Sequence, residues 1–381
     1  MKIVINTIST KKQAGGAFQI AQNFLLKSLD HEEIDWYYFT SQDVDNTVGE
    51  YFALLRNTKY FAFQTQPDFR GSYQTVKRKL KELEAQIKPD VVYSVTAPSY
   101  FTFNAPEVMR FTNPWVTHPN KYAWSVLPLK DKIRCFLYCL NQKRMMKAAH
   151  YFITQTETCA KGIRSVTGEP SEHVKVVNNV LPVIFKSIDN TPIVEDNNIN
   201  IACVGAATIH KNFDIIPQLL YEMDGMGFKN IRIHVTIPFD NFMIKTIEGN
   251  LKKLNLVDRF VNHGRLSQKE LGEMYRRCQF CFLPTLLEVF SASAVEAMYF
   301  QLPIVATDFN FNSEVLEDSC LYYEPKNAKA AAQQFAKLIS DKRLQEELNV
   351  KMKKQLTIYG DYDTHFNAIK DFLVEVAERK I

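Results

Sequence analysis

Apolar runs of strand length alternate with segments of helical periodicity, and they do so in two separate blocks. In the first block, residues 3–8, 35–39, 91–94 and 151–154 are short runs rich in Val, Ile, Tyr and Phe. Residues 18–29, 73–87 and 133–149 lie between them and repeat apolar side chains every three or four positions. The alternation restarts after a polar, acidic stretch, with strands expected at 200–204, 231–236, 279–283 and 304–306 and helices at 213–223, 268–276 and 293–299. From residue 328 onward the chain reads as helices only. A strand, a helix and a further strand in succession make neighbouring strands parallel and cover the sheet with helices. The pattern predicts an α/β chain of two doubly wound parallel-sheet domains, residues 1–185 and 186–360, with a hinge near residues 185–198. The C-terminal segment, residues 361–381, is expected to pack back on the first domain. Sheets of this kind bind ligands beyond the carboxyl ends of their strands, so a cleft between the domains is expected to hold the site.

Composition narrows the function. Forty-six basic against 42 acidic side chains leave a net charge of only +4. A duplex-binding protein usually carries a clearer basic surplus, so no nucleic-acid partner is expected. Only 13 glycines are present, which leaves room for few phosphate-cradling loops. The start, Met1-Lys2-Ile3-Val4-Ile5-Asn6, does not read as a secretory signal, and no apolar run reaches the length of a membrane span. The seven cysteines are scattered through apolar surroundings, and the one C-x2-C pair, Cys278 and Cys281, lies inside a strand-like run with no second pair at zinc spacing. Buried reduced thiols in a cytoplasmic protein, without a metal, are the expectation.

Three turns after strands carry chemistry. Lys11-Lys12-Gln13-Ala14-Gly15-Gly16-Ala17 follows the first strand. Its paired glycines let the backbone pass close to a ligand, and the next helix start favours an anion. Val204-Gly205-Ala206-Ala207-Thr208-Ile209-His210-Lys211 follows the first strand of the second block and puts Lys211 before a helix start, where it can meet a phosphate. The third, Pro284-Thr285-Leu286-Leu287-Glu288-Val289-Phe290-Ser291, leads into a helix that carries Glu296. Carboxylates at 288 and 296 accept hydrogen bonds from sugar hydroxyls, and the amides between them suit a diphosphate. Each feature also has an ordinary structural reading: a plain turn, a solvated lysine, a carboxylate on a helix dipole, an internal ion pair.

Taken together and in order, these residues resemble the retaining glycosyltransferases of family four, which have the GT-B fold of two Rossmann-like domains facing a cleft. The E-x7-E spacing of Glu288 and Glu296 is that family's signature. Pro284, Glu296-Ala297-Met298, Leu302-Pro303-Ile304-Val305-Ala306, Glu314-Val315 and Glu324-Pro325 fall around it in the family's order. Val204-Gly205 with Lys211-Asn212, His263-Gly264-Arg265-Leu266 and Val176-Val177-Asn178-Asn179-Val180 match upstream turns. The resemblance implies that Lys211 contacts the donor diphosphate and that Glu288 holds hydroxyls of the transferred sugar. Val289, Phe290 and Ser291 would line that sugar, Glu296 would bind the ribose hydroxyls, and Arg265 and Leu266 would lie beside the base. Gly15 and Gly16 would approach the diphosphate from the other domain. It implies a nucleotide diphosphate sugar as substrate, a glycan or lipid-linked acceptor, retention of configuration, and no metal or other cofactor.

The chain departs from that pattern at Ala206, where the family usually has Arg, and at Val289, where Gly is frequent. Arg110 and Arg265 are candidate substitutes for the missing cation. His118 is the candidate catalytic histidine of the first domain, with a turn histidine before proline as the ordinary alternative. Residues 121–150 carry seven Lys and Arg against one Asp, together with Ile133, Phe136, Leu137, Leu140 and Met145. They suit peripheral contact with an anionic membrane at its inner face, or a core-packing helix with a solvated basic side. Two other functions fit the same sequence: a nucleotide-sugar 2-epimerase of the same fold, and a non-catalytic nucleotide-sugar or glycan-binding subunit.

Overall fold

The computed structural model describes residues 1–12, 16–63, 73–193 and 197–379. The chain forms two compact units: residues 1–118, 134–177 and 363–381, and residues 119–133 with 178–362. The first holds a sheet of seven strands: β1 (Lys2–Thr7), β2 (Asp35–Ser41), β3 (Tyr60–Phe63), β4 (Val91–Ser94), β5 (Glu107–Arg110), β6 (Tyr151–Thr154) and β7 (Val174–Val176). They lie in the order β3-β2-β1-β4-β5-β6-β7, and every pairing is parallel. On one face Val4, Phe39 and Val92 pack against Val76, Leu80 and Ile87 of the helix Tyr73–Ile87. On the other, Phe24 of the helix Gly16–Ser28 meets Tyr93, and Phe366 of the C-terminal helix Tyr362–Glu378 lies 4.7 Å from Phe24.

The second unit holds six strands: β8 (Ile199–Cys203), β9 (Ile231–Val235), β10 (Phe260–Asn262), β11 (Phe280–Leu283), β12 (Ile304–Thr307) and β13 (Leu321–Tyr323). Their order is β10-β9-β8-β11-β12-β13, again parallel throughout. Side chains alternate along each strand, so one strand feeds two cores. Ile201, Cys203, Phe280, Phe282 and Val305 enter one cluster with Leu219, Ile247 and Phe335. Ala202, Cys281, Leu283, Ile304 and Ala306 enter the other with Tyr275, Val295 and Met298. All seven cysteines are free thiols, and six are buried. Burial pushes the Cys278 and Cys281 thiols up, away from the thiolate form that metals and redox chemistry use.

Two expected bounds shift. A helix expected at 213–223 begins at Ile216, because Asn212 adopts a left-handed conformation (φ 59°) and Phe213–Ile215 form a 3-10 turn. The boundary expected at 185/186 falls at 177/178, and residues 119–133 pack in the second unit. There Asn120 Nδ2 donates to the Leu286 carbonyl at 2.7 Å, and the Tyr122 ring meets Phe309 edge-on. Among the described residues no helix is long and apolar enough to cross a membrane.

Candidate active site

In the second sheet the strand order reverses between β8 and β11, so the turns that follow these two strands run side by side. Such a reversal opens a crevice at the carboxyl ends of the strands. The turn after β8 carries Lys211 and the turn after β11 carries Glu288. Their side chains meet, Lys211 Nζ to Glu288 Oε1, at 2.5 Å, with only 13% and 17% of them exposed. One main-chain and one side-chain bond hold the two turns together: Leu286 N donates to the His210 carbonyl at 2.8 Å and Asn212 Nδ2 to the Pro284 carbonyl at 3.3 Å. The left-handed Asn212, which is buried, is what turns the chain so that Lys211 points at the neighbouring loop. From below, Thr307 Oγ1 donates to the Thr285 carbonyl at 2.6 Å, and Asn312 Nδ2 donates to Thr307.

Beside this pair the helix Ala292–Tyr299 begins. Its N-cap, Ser291, makes no side-chain capping bond; its hydroxyl pairs with that of Ser293 at 3.0 Å instead. The first amides of the helix therefore keep their partial positive charge toward the turn. Val204, Lys211, Phe213, Thr285, Glu288, Ser291 and Ser293 line a space of only about 10 Å³ beside the ion pair. Glu296, about one turn into this helix, is buried, and its Oε2 accepts from the Tyr275 hydroxyl at 2.8 Å. Burial lifts the Glu296 carboxyl to about 7, against the opposing hydrogen bond from Tyr275 and the charge of Lys211. His210 is pushed down to about 4 by its own desolvation and by Lys211.

The residues singled out from the sequence thus fall in different places. Lys211, Glu288 and Ser291 come together, and Glu296 stands behind them on the helix that follows Ser291. Val289 and Phe290 are buried; the Phe290 ring packs edge-on against Tyr359, so its side chain belongs to the core and its main chain alone faces the turn. Leu266 lines another cavity of the second unit, about 620 Å³, with His234, His263 and Met274. Arg265 is exposed, as is Ala206. Arg110 is buried in β5 of the first unit. Gly16 is the exposed first residue of its helix, with no atom within 4 Å of where a Cβ would stand; Gly15 lies outside the described residues. His118 ends the short helix Pro114–Thr117 in the first unit, with Nδ1 2.8 Å from Thr117 Oγ1. Gly162 pins that turn, since a Cβ there would stand 2.2 Å from the Thr117 carbonyl oxygen. No part in the site was expected of the Asn212, Tyr275, Thr307 or Asn120 side chains. Only Asn212 carried a local signal, as a residue type that tolerates φ > 0 directly after the lysine. Among the described residues no three His, Cys, Asp or Glu side chains converge as a metal site.

Two Rossmann-like parallel-sheet domains with this strand order define the GT-B fold of glycosyltransferases. Residues 186–355 match the family model described as Glycosyl transferases group 1. An uncharacterized glycosyltransferase of Methanocaldococcus jannaschii is 26% identical over 215 residues. That match covers 54% of this chain, which spans 57% of the length of that relative. Three solved structures share the fold at low identity. A glycosyltransferase from Rickettsia africae is 11% identical, with a TM-score of 0.71 over 100% of this chain and 99% of its own. HepE of Anabaena, in complex with UDP and glucose, is 13% identical, with a TM-score of 0.69 over 98% and 99%. The sucrose-phosphate synthase of Thermosynechococcus elongatus is 12% identical, with a TM-score of 0.69 over 98% of each chain. Together the likenesses show the GT-B fold over the whole chain and a match to group 1 glycosyl transferases over residues 186–355.

Proposed function

We propose that the protein is a retaining glycosyltransferase, moving a hexose-type unit from a nucleotide diphosphate sugar to a glycan or lipid-linked acceptor in the cytoplasm. One observation carries the reading: a lysine and a carboxylate 77 residues apart meet where the strand order reverses, beside a helix start whose amides lack a side-chain cap. Cation and amides suit a diphosphate, and the carboxylate suits sugar hydroxyls. That Anabaena HepE is described with UDP and with UDP-glucose makes a uridine donor the first to try.

In this reading Lys211 Nζ exchanges Glu288 Oε1 for a diphosphate oxygen, and Glu288 turns to the hydroxyls of the sugar. Glu296 takes the ribose hydroxyls in place of the Tyr275 hydroxyl, and Arg265 and Leu266 border the base. The bond between C1 and the phosphate oxygen breaks while the acceptor oxygen bonds to C1 on the same face. The acceptor proton passes to the departing phosphate, so configuration is kept. Lys211 and the amides of residues 290–293 hold the developing charge, and the reaction proceeds without a divalent metal. His118 remains the candidate catalytic histidine of the first domain.

A melting panel of UDP, GDP and their common sugar derivatives tests the donor. A hundredfold excess over the dissociation constant adds about 2.7 kcal/mol of stability. Product analysis with and without acceptor, in chelator, tests the chemistry. Transfer with retained configuration is expected; a changed free donor without acceptor indicates an epimerase, and binding without transfer a non-catalytic subunit.

A further inference from the structure

The helix Leu129–Met146 has two apolar sides, and the protein uses one of them. Cys139, Gln142 and Met146 are buried: Cys139 Sγ donates to the Trp115 carbonyl at 3.6 Å and Gln142 Oε1 accepts from Asn113 Nδ2 at 2.6 Å. On the opposite side Leu129, Ile133, Phe136, Leu137 and Leu140 are 74%, 56%, 56%, 60% and 48% exposed. At 100° per residue these five fall within a sector of about 100°, as wide as the stripe a surface helix normally buries. Lys132 and Lys143 line one edge of the sector and Lys130 and Arg134 the other, while Arg144 and Lys147 continue it past Leu140. None of these six forms an ion pair among the described residues. Asp131, the one acid of residues 121–150, falls on the far side of the helix.

Surfaces that meet a protein partner are depleted in lysine. An apolar stripe edged by cations alone matches a different surface. A helix laid flat on a bilayer sinks its apolar side about 5–10 Å into the headgroup and acyl boundary, and Lys and Arg on its flanks reach anionic headgroups. We propose that this helix docks the protein on an anionic lipid surface. Leu129, Ile133, Phe136, Leu137 and Leu140 enter the acyl boundary, and Lys130, Lys132, Arg134, Lys143, Arg144 and Lys147 lie among the headgroup phosphates. None of these residues is assigned to the donor, so the inference stands apart from the proposed glycosyl transfer.

The test is co-sedimentation of the full chain with two kinds of vesicle, phosphatidylcholine alone and phosphatidylcholine with about one third phosphatidylglycerol. Binding to the anionic vesicles only is expected, and it should weaken as salt is raised. The doubly substituted chains Phe136→Ser with Leu137→Ser, and Arg144→Glu with Lys147→Glu, should each lose at least tenfold in partition ratio. Both pairs are exposed side chains, and an unchanged melting transition confirms that each variant folds. Equal binding to neutral vesicles, or full binding by the serine variant, overturns the proposal. So does a wild-type dimer in solution that the serine variant splits, because the stripe then belongs to a second copy of the chain.

Discussion

Lys211 is held by Glu288 before any donor arrives, so the two residues should respond to substitution with opposite signs. The pair is separated by 2.5 Å and mostly shielded from water, at 13% and 17% exposure. Two unit charges 4 Å apart interact by about 4 kcal/mol at an effective dielectric of 20, and desolvating both offsets much of that gain. A net coupling of about 1–2 kcal/mol remains to be broken when a diphosphate takes the lysine, which amounts to roughly tenfold in affinity. Glu288→Ala removes the competitor. UDP, which lacks the sugar that Glu288 would hold, should bind this variant roughly tenfold tighter than wild type. Sugar transfer should nevertheless fall by at least about 100-fold, if the lost carboxylate holds the transferred sugar as proposed. Lys211→Ala should weaken UDP by tenfold or more, since the diphosphate then meets an unshielded carboxylate. Titration calorimetry with UDP on the two single variants and the double variant reads all three, and the double variant should recover part of the Lys211→Ala loss. If Glu288→Ala weakens UDP as much as Lys211→Ala does, the ion pair does not compete with the diphosphate and the reasoning fails.

Other predictions concern the frame of the site. The Glu296 carboxyl, raised by burial from its ordinary 4.5 to about 7, binds its proton more tightly in the folded than in the unfolded chain. Its penalty is absent at pH 4 and fully present above pH 7. Glu296→Gln should therefore gain stability over wild type as pH rises from about 5 to 8, by up to about 3 kcal/mol in urea titrations; a gap that shrinks with pH contradicts this. Asn212→Ala should lose about 2 kcal/mol, from a strained left-handed alanine and a lost bond to Pro284, while Asn212→Gly should lose about half as much. Gly162→Ala should cost about 3 kcal/mol, since its Cβ would collide with the Thr117 carbonyl beside His118. A melting point equal to wild type would show that this turn yields freely.

The interior of each sheet was legible in the sequence, and its margins were not. β4, β11 and β12 are apolar runs buried on both faces, and they stand out in any window. The edge strands β3, β7, β10 and β13 escape notice because they are three or four residues long and mostly half-exposed, as in Phe260-Val261-Asn262. β5 was hidden by Glu107 and Arg110 at its two ends, although both fold inward. Glu107 is satisfied by the Ser94 and Ser99 hydroxyls, a pairing between distant positions that periodicity does not express. The same limit applies at the site. Lys211, Glu288 and Glu296 stood out as candidates through their order along the chain and its resemblance to one family, and the roles proposed for them rest on that resemblance. The contact between Lys211 and Glu288 arises from strand order, which a linear pattern does not contain. Asn120 is a plainer case: its bond to Leu286 crosses 166 residues and draws residues 119–133 into the second unit.

The most direct measurement is a crystal structure of the protein soaked with UDP and glucose. The account predicts a diphosphate oxygen within hydrogen-bond distance of Lys211 Nζ, the Ser291–Ser293 amides facing the phosphates, and Glu288 swung onto sugar hydroxyls. A nucleotide bound elsewhere while Lys211 and Glu288 stay paired would contradict it.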